Sequence, residues 1–152
     1  MNYTELNRRV RDEIARAGTA EAAMDRAVAA LKDAAPHYTW VGVYLLDGNE
    51  LVLGPFRGKP SPHTRIPVGR GICGAAAAEK ATIVVDDVGR DSRYLACSAD
   101  TRSEIVVPVM RDGEVLGEID VDSDDPAAFG DRDRALLESI AGALAAKLAQ
   151  RS

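Results

Sequence analysis

The chain has 152 residues, of which 46% are hydrophobic and 28% charged, and a formal net charge of -5 at pH 7. At roughly 150 residues per domain this is one domain with a real core, which excludes disorder over most of the length. The acidic balance leaves no overall positive field for phosphate backbones or anionic lipid, so no nucleic-acid partner and no membrane partner are expected. The first residues carry Glu5, Arg8, Arg9, Arg11, Asp12 and Glu13, unlike a secretory signal, and a cytoplasmic location is expected. No stretch approaches the roughly 18 apolar residues of a membrane span. Two cysteines, Cys73 and Cys97, are too few for a disulfide scaffold and lack zinc-site spacing.

Two helices are predicted first, because Leu6, Val10 and Ile14 fall on one face and Met24, Val28, Leu31 and Ala35 on another, with Gly18 between them. Pro36 ends the second. Residues 38–46 are aromatic and β-branched, and Asp47-Gly48 predicts a hairpin turn into a strand at 51–56. Pro55, Gly58, Pro60, Pro62 and Pro67 then predict a loop that ends at Gly69-Arg70-Gly71 and leads into a short helix at 72–80. A brief strand at 82–85 is followed by a crossing rich in Asp and Arg, where Asp91-Ser92 offers a helical cap. A second hairpin is predicted from strands at 104–110 and 114–122 around Asp112-Gly113, and a last helix at 131–150 carries Leu137, Ile140, Leu144 and Leu148 on one stripe. The expected class is α+β, with helices on one face of an antiparallel sheet.

On the last strand Glu118, Asp120 and Asp122 share one face and Ile119 and Val121 the other, which is the expected core side. In the plain reading those acids meet water. In a concave, partly dry wall they would instead favour a cationic group such as an amine, and crowding would keep one carboxyl protonated as an acid. Glu104, which opens the partner strand, would join them.

Each cysteine reads equally as a small buried hydrophobe or as a reactive thiol. Behind Gly69-x-Gly71, Cys73 sits at an expected helix N-terminus that would favour its thiolate, and Arg90 and Arg93 would do the same for Cys97. The glycine pair alone is a weak phosphate signal, with no P-loop lysine beside it. Trp40 reads as core packing or as a flat wall for an apolar or sulfur-bearing ligand. His37 and His63 have no metal spacing and read as surface loop residues.

Together Trp40-Val-Gly-Val-Tyr44, Leu53-Gly-Pro-Phe56, Arg65-Ile-Pro-Val-Gly-Arg-Gly-Ile-Cys-Gly74, Asp86-Asp87-Val88, Leu95-Ala-Cys97, Ser103-Glu-Ile-Val-Val-Pro108 and Asp120-Val-Asp-Ser123 resemble the free methionine-(R)-sulfoxide reductases, which are single GAF domains. The resemblance implies one GAF domain over 1–152. It implies Cys97 as the nucleophile that takes the sulfoxide oxygen, Cys73 as a partner for disulfide closure, Glu104 and Asp122 as acid residues, and Trp40, Asp120 and Tyr44 as substrate contacts. It also implies a thioredoxin-type reductant and no metal or organic cofactor. At the position ten residues before Cys73, where many members carry the usual resolving cysteine, this chain has His63. Loss of that cysteine fits the alternative of a non-catalytic GAF module that binds a small molecule, whereas the retained acids, Trp40 and Cys97 fit the reductase. A homodimer through the alanine-rich faces of 20–35 and 141–149 is a further expectation.

Overall fold

Both N-terminal helices start on side-chain caps. Asn2 accepts from the Glu5 amide ahead of α1 (Tyr3–Arg16), and Thr19 accepts from the Ala22 amide ahead of α2 (Ala20–Ala34). The remaining elements of the computed structural model, which describes residues 1–96 and 98–150, are β1 (Trp40–Asp47), β2 (Glu50–Arg57), β3 (Arg65–Pro67), α3 (Gly71–Glu79), β4 (Ile83–Val85), a 3-10 turn at Val88–Arg90, β5 (Ser103–Arg111), β6 (Glu114–Ser123) and α4 (Asp131–Leu148). The six strands form one antiparallel sheet in the order β3-β2-β1-β6-β5-β4.

Alternation along the central strands sends Val41, Val43, Ile105, Val107, Ile119 and Val121 to one face, where α1, α2 and α4 cover them. Leu6, Val10, Ile14, Met24, Val28, Leu31, Leu137, Ile140 and Leu144 are buried in that layer, as the helical spacing predicts. Ala20, Ala23, Ala27, Ala35, Ala141 and Ala145 are buried there too. The small side chains that suggested a dimer face therefore let this chain's own helices approach each other.

Asp133 fixes the helical layer to the sheet. Its carboxylate accepts from Tyr38 Oη at 2.8 Å, Tyr3 Oη at 3.2 Å, His37 Nε2 at 2.7 Å and the Gly130 amide at 3.0 Å. Burial pushes its pKa up, but the hydrogen bonds from His37, Gly130 and Tyr38 outweigh that and hold it below the usual value. His37 is thus an anchor for α4 and not the surface residue that the sequence suggested.

The opposite face is also covered, contrary to the expectation of helices on one side only. There α3, β3 and the 86–96 segment enclose a second core containing Ile66, Ile72, Ala76, Val88 and Val106. Its local elements account for the other departures from expectation. The first hairpin turns at Gly48-Asn49, since Asp47 still pairs with Glu50, and Gly48 takes φ +62°. Asp112-Gly113 turns as expected, with both φ values positive. The proline-rich segment contains a short edge strand, β3, and Pro55 lies inside β2. In the crossing Asp87, not Asp91, caps the helical turn, while Asp91 accepts from the Arg93 amide. No helix among the described residues is long and apolar enough to cross a membrane.

Candidate active site

Register assembles the site. Across β1 and β6, Trp40 stands opposite Asp122, Gly42 opposite Asp120 and Tyr44 opposite Glu118. On the other flank of β6, Glu104 faces Asp122 and Val106 faces Asp120. The period of two therefore places Trp40, Tyr44, Glu104, Glu118, Asp120 and Asp122 on one face of three adjacent strands. Helix α3 lies on that face and brings Cys73 to the acids: Cys73 Sγ and one carboxylate oxygen each of Glu104 and Asp120 lie within 4.8 Å of one another.

The acids do not meet water. Relative exposure is 0% for Glu118, 2% for Asp120, 3% for Asp122 and 5% for Glu104, so the concave reading of the strand applies and the solvent-facing one fails. Burial pushes the carboxyls of Glu104, Glu118 and Asp122 well above their usual range, and repulsion from Asp120 adds to it. Asp120 is also raised by burial, against hydrogen bonds from Glu104 and Cys73 that favour its ionised form. Hydrogen bonding between Glu104 and the two aspartates raises Glu104 further and lowers Asp120 and Asp122, which favours the proton on Glu104. Both oxygens of Glu118, and Oδ1 of Asp120 and of Asp122, are buried with no conventional hydrogen-bond partner among the described residues. The nearby Cys73 thiol offers Glu118 only weak relief. None of these acids forms an ion pair with a lysine or arginine among the described residues.

Cys73 occupies the first turn of α3, as expected, but its thiolate is not favoured. Burial raises its pKa first, and Asp120, Glu118, Glu104 and Asp122 raise it further. The helix terminus, whose effect is modest, is outweighed by desolvation and by several acids at close range. Cys97, the expected nucleophile, lies outside the described residues. The arginines expected to support it are both engaged by acids, Arg90 with Asp87 at 3.3 Å and Arg93 with Asp91 at 2.7 Å.

The glycines of the 69–74 segment serve packing. Gly71 has φ +69°, and a Cβ there would stand 2.7 Å from Leu95 Cδ1. Leu95 thereby seats the segment before Cys97 against the start of α3. A small cavity of about 20 Å³ lies beneath, lined by Cys73, Glu104, Asp120, Tyr44, Leu95 and His63 among others. His63 lies in a loop and is half-exposed, as expected, and it also borders this cavity. Its carbonyl accepts from Tyr44 Oη at 2.8 Å, and its Nε2 donates to the Ala96 carbonyl at 3.0 Å. The family resemblance singles out position 63 but not this contact, which joins two loops far apart in sequence.

Trp40 is buried, as its core-packing reading has it. Its indole lies flat over Gly42, stacks on Phe56 with ring centres 5.7 Å apart, and donates from Nε1 to the Lys59 carbonyl at 2.9 Å. Beyond it a second cavity of about 60 Å³ is bordered by Thr39, Lys59, Ser98, Thr101, Asp122 and Asp124. Lys59 Nζ and Asp100 Oδ2, 3.5 Å apart, join the two loops above it.

A GAF domain family model matches residues 15–148. The free methionine-R-sulfoxide reductase of Escherichia coli is 36% identical over 97% of this chain and 88% of its own length. The enzyme of that name from Saccharomyces cerevisiae is 41% identical over 74% of this chain. The chain spans about two thirds of the curated relatives it resembles from yeast and from Dictyostelium discoideum, 64% and 66% respectively. Among solved structures, the free methionine-R-sulfoxide reductase of Neisseria meningitidis in complex with its substrate superposes with a TM-score of 0.92 at 40% identity, covering 97% of this chain and 88% of that one.

Proposed function

Because this chain belongs to the GAF domain family, and within it to the free methionine-R-sulfoxide reductases, we propose that it reduces free L-methionine-(R)-sulfoxide to methionine. The observation that carries the reading is the set of four buried acids, Glu104, Glu118, Asp120 and Asp122, with no lysine or arginine paired to them among the described residues. A free amino acid brings the ammonium group that such a site lacks, and a peptide-bound residue does not. Asp120 and Asp122 hold the ammonium, while the indole of Trp40 and the ring of Tyr44 supply flat walls for the thioether side.

In the proposed reaction the sulfur of Cys97 attacks the sulfoxide sulfur. The oxygen passes to Cys97 as a sulfenic acid, the S–O bond of the substrate breaks and methionine leaves. The departing oxygen needs a proton, and that role falls to Glu104, with Asp122 beside it, whose carboxyls burial pushes well above their usual range. The Cys73 thiol then condenses with the sulfenic acid to give a disulfide and water, and an external dithiol of the thioredoxin type reduces the disulfide. A high pKa at Cys73 suits a thiol that waits as a resolving partner while another cysteine attacks. Neither the cavity beside Cys73 nor the one beside Trp40 has room for an amino acid, so the loops joined by His63 to Ala96 and by Lys59 to Asp100 must part for substrate to enter.

The test is a dithiol-coupled assay on the purified protein with the R and S epimers of free methionine sulfoxide and of the N-acetyl, C-amide form. Turnover of the free R epimer alone is expected. Equal turnover of the blocked substrate would remove the role of the acids in holding an ammonium group.

A further inference from the structure

Cys73, Glu104 and Asp120 are read above as reaction and substrate residues, yet their donor atoms also form a cation site that needs no substrate. One sulfur and two oxygens from α3, β5 and β6 lie within 4.8 Å of one another beside a cavity of about 20 Å³. That volume holds about one water-sized sphere, enough for a single ion and too little for an amino acid. A second and independent feature is the set of buried oxygens without partners: both of Glu118, and Oδ1 of Asp120 and of Asp122. Glu118 is fully buried, and its carboxyl lies against the Cys73 thiol at the edge of this group.

We propose that Cys73, Glu104 and Asp120, with Glu118 beside them, bind a thiophilic divalent cation of the zinc class, and that this binding excludes substrate. The donor set selects the metal. A thiolate with carboxylates suits Zn²⁺ or Co²⁺, whereas Mg²⁺ and Ca²⁺ need six or more oxygen donors and do not take sulfur. Distances of about 2.3 Å to sulfur and about 2.0–2.2 Å to oxygen draw tetrahedral donors to about 3.5 Å from one another, so the three side chains close in by about an ångström. The Cys73 thiol gives up its proton to solvent as the metal–sulfur bond forms, and no electron is transferred. Binding the metal does not depend on the reductase reading; only the exclusion of substrate does.

The experiment titrates Co²⁺ into the reduced full-length protein and follows the near-ultraviolet band that a thiolate–cobalt bond produces, with Zn²⁺ then added to displace it. Wild type and Cys97→Ser are expected to show the band with one equivalent of metal and to lose it to Zn²⁺. Cys73→Ser is expected to abolish it and to weaken Zn²⁺ binding by on the order of 100-fold, and Glu118→Gln to weaken it less. Circular dichroism identifies any variant that fails to fold, and the wild-type and Cys97→Ser titrations then decide by themselves. No band in wild type, a band that survives in folded Cys73→Ser, or one lost in folded Cys97→Ser overturns the proposal. An inactive protein that still shows the band would overturn the reductase reading and leave the metal site standing.

Discussion

Replacing Gly42 with alanine tests how the aromatic wall is built. A Cβ at this position would collide with Trp40 Cη2 and stand 2.7 Å from Trp40 Cζ3, with Phe56 Cβ at 3.2 Å on the other side. The backbone there is ordinary extended strand, so the whole cost is steric. Strand β1 is pinned between β2 and β6, which leaves the indole as the group that moves. Moving it weakens the stack on Phe56, worth about 0.5–1.5 kcal/mol, and the Nε1 hydrogen bond to Lys59, worth about as much. Overpacking of this kind costs about 1–3 kcal/mol, which lowers the midpoint of thermal unfolding by roughly 3–10 °C in a chain of this size. Trp40 is the only tryptophan, so its fluorescence reports on this one contact. Gly42→Ala is expected to shift the emission to the red and to lower the unfolding midpoint. Unchanged emission together with an unchanged midpoint would show that the indole does not rest on Gly42.

Cys97→Ser is expected to abolish methionine release even in a single turnover, because a serine hydroxyl is a far weaker nucleophile at neutral pH; retained release in a rapid-quench experiment would move the role to Cys73. Glu118→Gln is expected to stabilise the fold increasingly as pH rises. Burial raises the Glu118 pKa, so folding takes up a proton above the unfolded carboxylate pKa, and that uptake costs more as pH rises toward the raised value, a cost that glutamine avoids. Urea unfolding that gives the same gain at pH 5 and pH 8 would refute this. Asp133 has the opposite sign: its pKa is lowered in the fold, so its contribution is full above the unfolded carboxylate range and is lost as pH falls through the lowered value. Asp133→Asn is therefore expected to cost about 1–3 kcal/mol at pH 7 and progressively less toward pH 2, as measured by denaturant unfolding at each pH.

Much of this molecule follows from local rules. The helical stripes of Leu6, Val10 and Ile14 and of Leu137, Ile140 and Leu144 are buried where a 3.6-residue period puts them. The period of two on β6 already placed Glu118, Asp120 and Asp122 on one face, and Asp112-Gly113 named its own turn. What the strand pattern could not tell was whether that face meets water, because alternation distinguishes two faces without saying what covers the second. That depends on α3 and the 86–96 segment folding back over the sheet, a contact between segments distant in sequence. The same packing decided the state of Cys73. Its position at a helix start was legible and argued for a thiolate, but desolvation and the acids of β5 and β6, invisible along α3 itself, keep it protonated. The side-chain roles of His37 and His63 were hidden for the same reason. The ring-nitrogen partners of both are far away in the chain, and only tertiary structure brings His37 to Asp133 and His63 to the Ala96 carbonyl. Periodicity, caps and turns are short-range and can be read from a sequence, whereas dielectric surroundings and cross-loop hydrogen bonds are properties of the packed whole.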